Sequence, residues 1–263
     1  MKKTIAFVAV LCLTASAAVH AQQIGTVVWG EDFESVRPSL QPKVEDPGVD
    51  DAALLGWTHS APANWTIDNS SMPAAGLGVD EWYGWSFATK GFWVDADNQQ
   101  RDQFLPELGN DNIVAVADPD EYDDVDSAAA GGAYNSILRT PIVDFSSVAG
   151  EKIAIAFDSS QRMEPTQILR LTAFYSDGSN EQLLEWSDAN GTPDATNEKV
   201  FLELNVPAGA TAAFFDFAML EADNDWWWAV DNIQVGSVVP EPGALSMLGL
   251  ALVGLVSMIR RNK

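Results

Sequence analysis

The feature that most constrains the fold is a succession of short runs with period-two hydrophobicity, each closed by turn residues. Residues 199–206 are the clearest case. Val200, Leu202, Leu204 and Val206 share one face, and Lys199, Phe201, Glu203 and Asn205 the other, as in a half-buried strand. Residues 152–158 alternate in the same way. Residues 168–175 and 181–186 flank Ser176-Asp-Gly-Ser-Asn180, a hairpin with a glycine turn. Residues 134–140, 211–220 and 226–235 supply further strands. The first half is looser. It offers an opening strand at 26–34, a proline- and acid-rich stretch at 35–55, and a short strand pair at 56–57 and 64–67. An aromatic cluster at 82–93, a strand at 112–117 and an acidic loop at 118–126 follow. No convincing amphipathic helix interrupts these runs. The expectation is an all-β chain folded as a jelly-roll β-sandwich.

The two ends read as targeting segments. Lys2 and Lys3 precede a mostly apolar stretch and the small-x-small site Val19-His20-Ala21, which makes residues 1–21 a secretory signal peptide. At the other end, residues 239–263 begin Val-Pro-Glu-Pro, continue as an uncharged apolar run over 243–259, and finish with Arg260, Arg261, Asn262 and Lys263. At about 1.5 Å per residue such a run reaches roughly 25 Å, the short end of what spans a bilayer. A single C-terminal transmembrane helix over 243–259 is expected, with the basic cluster on the cytoplasmic side. Residues 22–238 form the domain between.

This tail resembles the PEP-CTERM sorting signal of Gram-negative bacteria, with Pro240, Glu241 and Pro242 standing as its Pro-Glu-Pro motif. The resemblance implies processing by an exosortase after export by signal peptidase and the general export machinery. It implies an inner-membrane anchor during transit, then the cell surface or extracellular matrix of a bacterium that makes exopolysaccharide.

Composition narrows the chemistry. Five of the 14 basic residues and one of the 38 acidic ones lie in the ends, leaving 9 against 37 in the domain, a net charge of −28. Such a surface repels nucleic acid and suits divalent cations. Cys12 is the only cysteine and belongs to the signal peptide, so the domain has no disulfide or thiolate chemistry. His59 is the domain's only histidine, which excludes histidine-cluster metal sites. Hydrolysis would have to rest on carboxylates or an oxygen-held metal.

Four phrases together carry a second resemblance: Gly30-Glu-Asp-Phe-Glu34, Val116-Ala-Asp-Pro-Asp-Glu-Tyr-Asp-Asp124, Phe157-Asp-Ser-Ser160 and Asn224-Asp-Trp-Trp-Trp-Ala-Val-Asp-Asn-Ile-Gln-Val235. They resemble the jelly-roll modules of exported bacterial proteins related to MAM and carbohydrate-binding jelly rolls. That likeness implies neighbouring first and last strands and does not imply catalysis. It also implies a structural calcium ion held by Asp32 and Glu34 from the first strand and Asp231 from the last. Calcium takes six to eight oxygens, which carboxylates, carbonyls and waters provide.

Two further sites are expected from the residues themselves. The acidic loop places Asp118, Asp120, Asp123 and Asp124 close enough to repel unless solvated or bridged by a cation, and Asp158 is a candidate to join a metal site. Trp82, Trp85, Trp93 and Trp227 are candidates for ligand binding, since exposed tryptophan is costly unless it meets a partner; packing into a core is the alternative. The leading expectation is a non-enzymatic, exported surface or matrix protein that binds exopolysaccharide or another surface ligand. A carboxylate-based polysaccharide-degrading enzyme and a structural spacer are the alternatives.

Overall fold

The computed structural model describes residues 22–125 and 133–239. The expected signal peptide, the Pro-Glu-Pro motif and the expected span at 243–259 lie outside the described residues. Among the described residues, no helix is long and apolar enough to cross a membrane.

Fourteen strands follow in order among the described residues: β1 Ile24–Glu31, β2 Gln41–Pro42, β3 Leu55–Thr58, β4 Thr66–Asp68, β5 Ser86–Thr89, β6 Ile113–Ala117 and β7 Tyr134–Arg139. Then come β8 Val143–Asp144, β9 Ile153–Gln161, β10 Ile168–Tyr175, β11 Asn180–Ser187, β12 Ala195–Glu203, β13 Ala212–Ala222 and β14 Trp228–Val238. Two short helices, α1 Lys90–Ala96 and α2 Pro119–Tyr122, lie between them.

The strands form two antiparallel sheets. In the larger, the order is β12-β9-β14-β6-β5-β3-β2, and β1 also pairs with β14. In the smaller, the order is β11-β10-β13-β7-β4, with β8 also on β13. β14 is the pivot. One side pairs with β9 throughout. The other is divided, with residues 228–230 against β6 and residues 233–238 against β1. Gly236 is required at the β1 contact, because a Cβ there would stand 2.1 Å from the Thr26 carbonyl oxygen. Gly178, at φ 86°, makes the turn between β10 and β11 that the sequence announces.

The core lies between the sheets. Trp228 of β14 meets Phe217 of β13 at 5.7 Å and Trp85 at 5.6 Å between ring centroids. Phe157 of β9 meets Phe217 edge-on at 5.3 Å. A second aromatic layer covers the outer face of the larger sheet: Trp227 there meets Trp93 of α1 at 5.7 Å. β9 is buried along all nine residues, where the sequence alternation suggests one wet face. Its outward residues Ala154, Ala156, Asp158 and Ser160 are small or hydrogen-bonding and lie beneath neighbours.

Other expectations are corrected. β3 and β4 belong to different sheets and do not pair. The acidic stretch begins as a helix, because Asp118 caps it through Glu121 N and Pro119 stands in its first turn. α1 is likewise N-capped, by Thr89.

Candidate functional site

Three places gather the chemistry-bearing residues. The first is the junction of β1, β9 and β14. Asp231 stands opposite Asp158 across the β14–β9 ladder, and a register shift follows it before Gln234. Asn232 at φ 51° makes that irregularity. Asp231 is fully buried. Its Oδ2 accepts from Asn112 Nδ2 at 3.0 Å and its Oδ1 from Asn232 N at 2.7 Å. Both donors are neutral. Burial pushes the carboxyl up to about 7; the two hydrogen bonds oppose the shift, and the charges of Asp158 and Asp32 add to it.

Asp158 Oδ2 accepts from Asn232 Nδ2 at 2.9 Å, and its Oδ1 lies 3.3 Å from Lys199 Nζ. Asp32 follows β1 directly and borders a surface depression of about 280 Å³ shared with Asn232. Glu34 lies beside the same region but is otherwise employed. Its Oε1 accepts from Ile113 N at 2.9 Å, and its other oxygen pairs with Arg37. The chain ends thus bring Asp32, Asp158 and Asp231 into one electrostatic neighbourhood. Asn112 and Asn232, which the sequence reading missed, donate their side-chain amides to Asp231 and Asp158.

The second place is the acidic segment. Asp118, Asp120 and Glu121 present carboxylate oxygens within 4.8 Å of one another, but the positive charge among them is Arg101. Its buried guanidinium is 2.9 Å from Asp118 Oδ2 and 3.5 Å from Asp120 Oδ2, and it also pairs with Glu121. Asp118 additionally accepts from Trp93 Nε1 at 2.7 Å. The guanidinium carbon lies 4.9 Å from the Trp227 ring centroid and 5.7 Å from that of Trp93. The carboxylates of Asp118 and Asp120, expected beside a cation, surround the buried Arg101 guanidinium. Asp123 and Asp124, past the end of α2, are not part of it. Burial, with the repulsion of Asp118, pushes Glu121 up to about 9 against the pull of Arg101; burial and Asp118 likewise push Asp120 up to about 6. The Asp118-Pro119-Asp120-Glu121 signature of a capped helix start was legible. Arg101 was not, because nothing in its local sequence marks it as buried.

The tryptophans form the third theme. Trp82, Trp85, Trp93 and Trp227, the candidates for ligand binding, are all fully buried. They are core residues, and each indole N–H is satisfied internally: Trp82 by Asp46, Trp85 by the Ser136 carbonyl, Trp93 by Asp118 and Trp227 by Ser160. Trp226, not among the candidates, precedes β14 and is only half-buried. It sits where four connections meet. Arg162, from the β9–β10 connection, stacks its guanidinium carbon 3.9 Å from the Trp226 centroid. Its Nη1 donates to the Gln99 carbonyl at 3.4 Å, and its Nε lies 3.6 Å from Asp194 Oδ2 in the β11–β12 connection. Trp227 meets the edge of Trp226 at 5.7 Å. Gln99 and Gln100 take left-handed φ values of 35° and 81°, uncommon for residues with side chains. The buried Gln99 Oε1 has no hydrogen-bond partner.

Every basic residue between residues 22 and 239 is engaged. Arg37, Arg139, Lys152, Arg162, Arg170 and Lys199 pair with acids. Arg101 is caged, and Lys43 and Lys90 donate to backbone carbonyls.

No protein-family model and no curated protein matches the chain. Solved structures similar to it include the K3 cleaved adhesin domain of Lys-gingipain from Porphyromonas gingivalis W83, at 14% identity and TM-score 0.43 over 81% of this chain and 99% of that one. The CBM22-1 xylan-binding domain of Xyn10C from Paenibacillus barcinonensis matches at 10% identity and TM-score 0.34, over 84% and 99%. TmCBM61 in complex with β-1,4-galactotriose matches at 10% identity and TM-score 0.37, over 66% and 89%. Likenesses this distant do not assign the chain to a family.

Proposed function

We propose that the chain is an exported, non-enzymatic surface or matrix protein whose jelly-roll sandwich binds polysaccharide at the loop end carrying Trp226. The observation that carries this reading is Trp226 itself. Seven of the domain's ten tryptophans are buried, and of the half-buried three, Trp29, Trp186 and Trp226, this one stands on a surface built from four connections with Arg162 stacked on it. An indole held rigid in this way offers an apolar face to the C–H face of a pyranose at little entropic cost. The clustered carboxylates support binding over hydrolysis. Asp118 and Glu121 are buried around Arg101, where a polymer does not reach them, and a glycosidase needs two carboxyl groups flanking the scissile bond.

Calcium is proposed at the β1–β14 junction, with Asp231, Asp32 and Asp158 as carboxylate ligands. The donor set is all oxygen, as calcium prefers. A buried carboxylate whose bonded partners are neutral is costly, and a divalent cation would offset that cost. It would also fasten the first strand to the last in a domain without disulfides. For delivery, the proposal is export through the signal peptide, transient anchoring by residues 243–259 and processing by an exosortase at the Pro240-Glu241-Pro242 tail.

The binding reading is tested by retention of the full-length protein, in detergent, on a panel of immobilised polysaccharides. Retention that Trp226→Ala abolishes, without change in melting temperature, is the expected result. Retention on none of them would leave the spacer role.

A further inference from the structure

We propose that the Trp226 loop end takes a neutral hexopyranosyl chain, and that Asp194 is the residue that keeps uronate-bearing polymers out. This rests on the polysaccharide-binding reading and goes on to the ligand class. A uronate is drawn to a cation that no carboxylate already counters, and Arg is the side chain suited to it. Arg162 is the cation at this surface, and its charge is already answered. Asp194 Oδ2 lies 3.6 Å from Nε, the Gln99 carbonyl accepts from Nη1, and the Trp226 and Trp227 rings lie 3.9 and 5.4 Å from its guanidinium carbon. Asp194 is held in place, because its Oδ1 accepts from Met163 N at 2.9 Å. Its side chain is 52% exposed, so an approaching anionic sugar meets its charge first.

The rest of the domain strengthens this selection. Its 37 acids outnumber 9 basic residues, each of which has a partner, so no other cation is free to draw an anionic chain to the surface. A neutral sugar meets none of this repulsion. Its C–H face can stack on indole. Arg162 then acts as a positioning residue, holding the indole from behind.

The test is affinity electrophoresis of the full-length protein in detergent. Gels contain neutral polymers (β-glucan, galactan and mannan) or polygalacturonate, at low and at physiological salt. Wild type is expected to be retarded by at least one neutral polymer and not by polygalacturonate. Trp226→Ala should weaken the neutral interaction by about tenfold or more. Asp194→Asn keeps the acceptor for Met163 N and is the variant least able to disturb folding. It should preserve neutral binding and gain polygalacturonate retardation by roughly three- to tenfold, more at low salt. Trp226-dependent retardation of wild type by polygalacturonate would overturn the ligand class while leaving the binding site standing. Absence of any gain in Asp194→Asn would overturn the role of Asp194. Failure of every polymer, neutral or acidic, to retard wild type would overturn the polysaccharide reading itself.

Discussion

At the scale of single residues, the telling groups are carboxyls held where charge is expensive. Asp231 has its pKa raised to about 7 by burial, so the folded state binds its proton more tightly than the unfolded chain does. The associated stability is fully present below the unfolded value near 4 and is lost as pH rises through about 7. At about 1.4 kcal/mol per pH unit, the loss is at most on the order of 4 kcal/mol. In chelator, the domain should therefore melt at progressively lower temperature between pH 4 and pH 7. Asp231→Asn should flatten part of that slope, with Glu121 continuing it toward pH 9. Calcium should raise the melting point of wild type at pH 7 by several degrees and leave Asp231→Asn nearly unmoved. Equal behaviour of the two proteins, with and without calcium, would remove the metal from the account. Arg101 makes the complementary case. Deleting one partner of a buried ionic cluster costs about 3–5 kcal/mol, so Arg101→Ala should lower the urea midpoint by that equivalent. Asp231 and Asp32 were put forward from the resemblance to jelly-roll modules, which implied acids on the first and last strands. Asn112, Arg101 and Trp226 were not, because their roles depend on chain segments far away in sequence.

At the scale of elements, β14 organises the domain. The alternating runs at 199–206 and the hairpin at 168–186 were readable, since local period and turn chemistry decide them. β9 was misread as one-sided: all nine of its residues are buried, with Trp227 over its Ser160 end. The four tryptophans put forward as binders were misjudged for the same reason: a strand pattern states which faces differ, not what covers each. The closeness of β1 and β14 gives a direct prediction. Gly236→Ala places a Cβ about 2.1 Å from the Thr26 carbonyl oxygen and should cost about 1–3 kcal/mol by forcing the strands apart. Faster amide hydrogen exchange confined to β1 would locate the damage; uniform exchange across both sheets would argue against the end-joining role of this contact.

At the scale of the whole molecule, a net charge of −28 on the domain coexists with full pairing of its cations, which suits a soluble module that meets neutral polymer or divalent cations. Under the proposal, residues 239–263 would set its destination. Replacing Pro240, Glu241 and Pro242 with alanine should leave an unprocessed, membrane-retained form in the native host, detected by fractionation; normal maturation of that variant would remove exosortase from the account. The central claim is that the domain holds polysaccharide without cutting it. The direct measurement is to incubate the full-length protein with a retained neutral polysaccharide and follow bound protein and new reducing ends in the same samples over a day. The account predicts Trp226-dependent binding with no rise in reducing ends. A steady release of reducing ends that tracks protein concentration would contradict it.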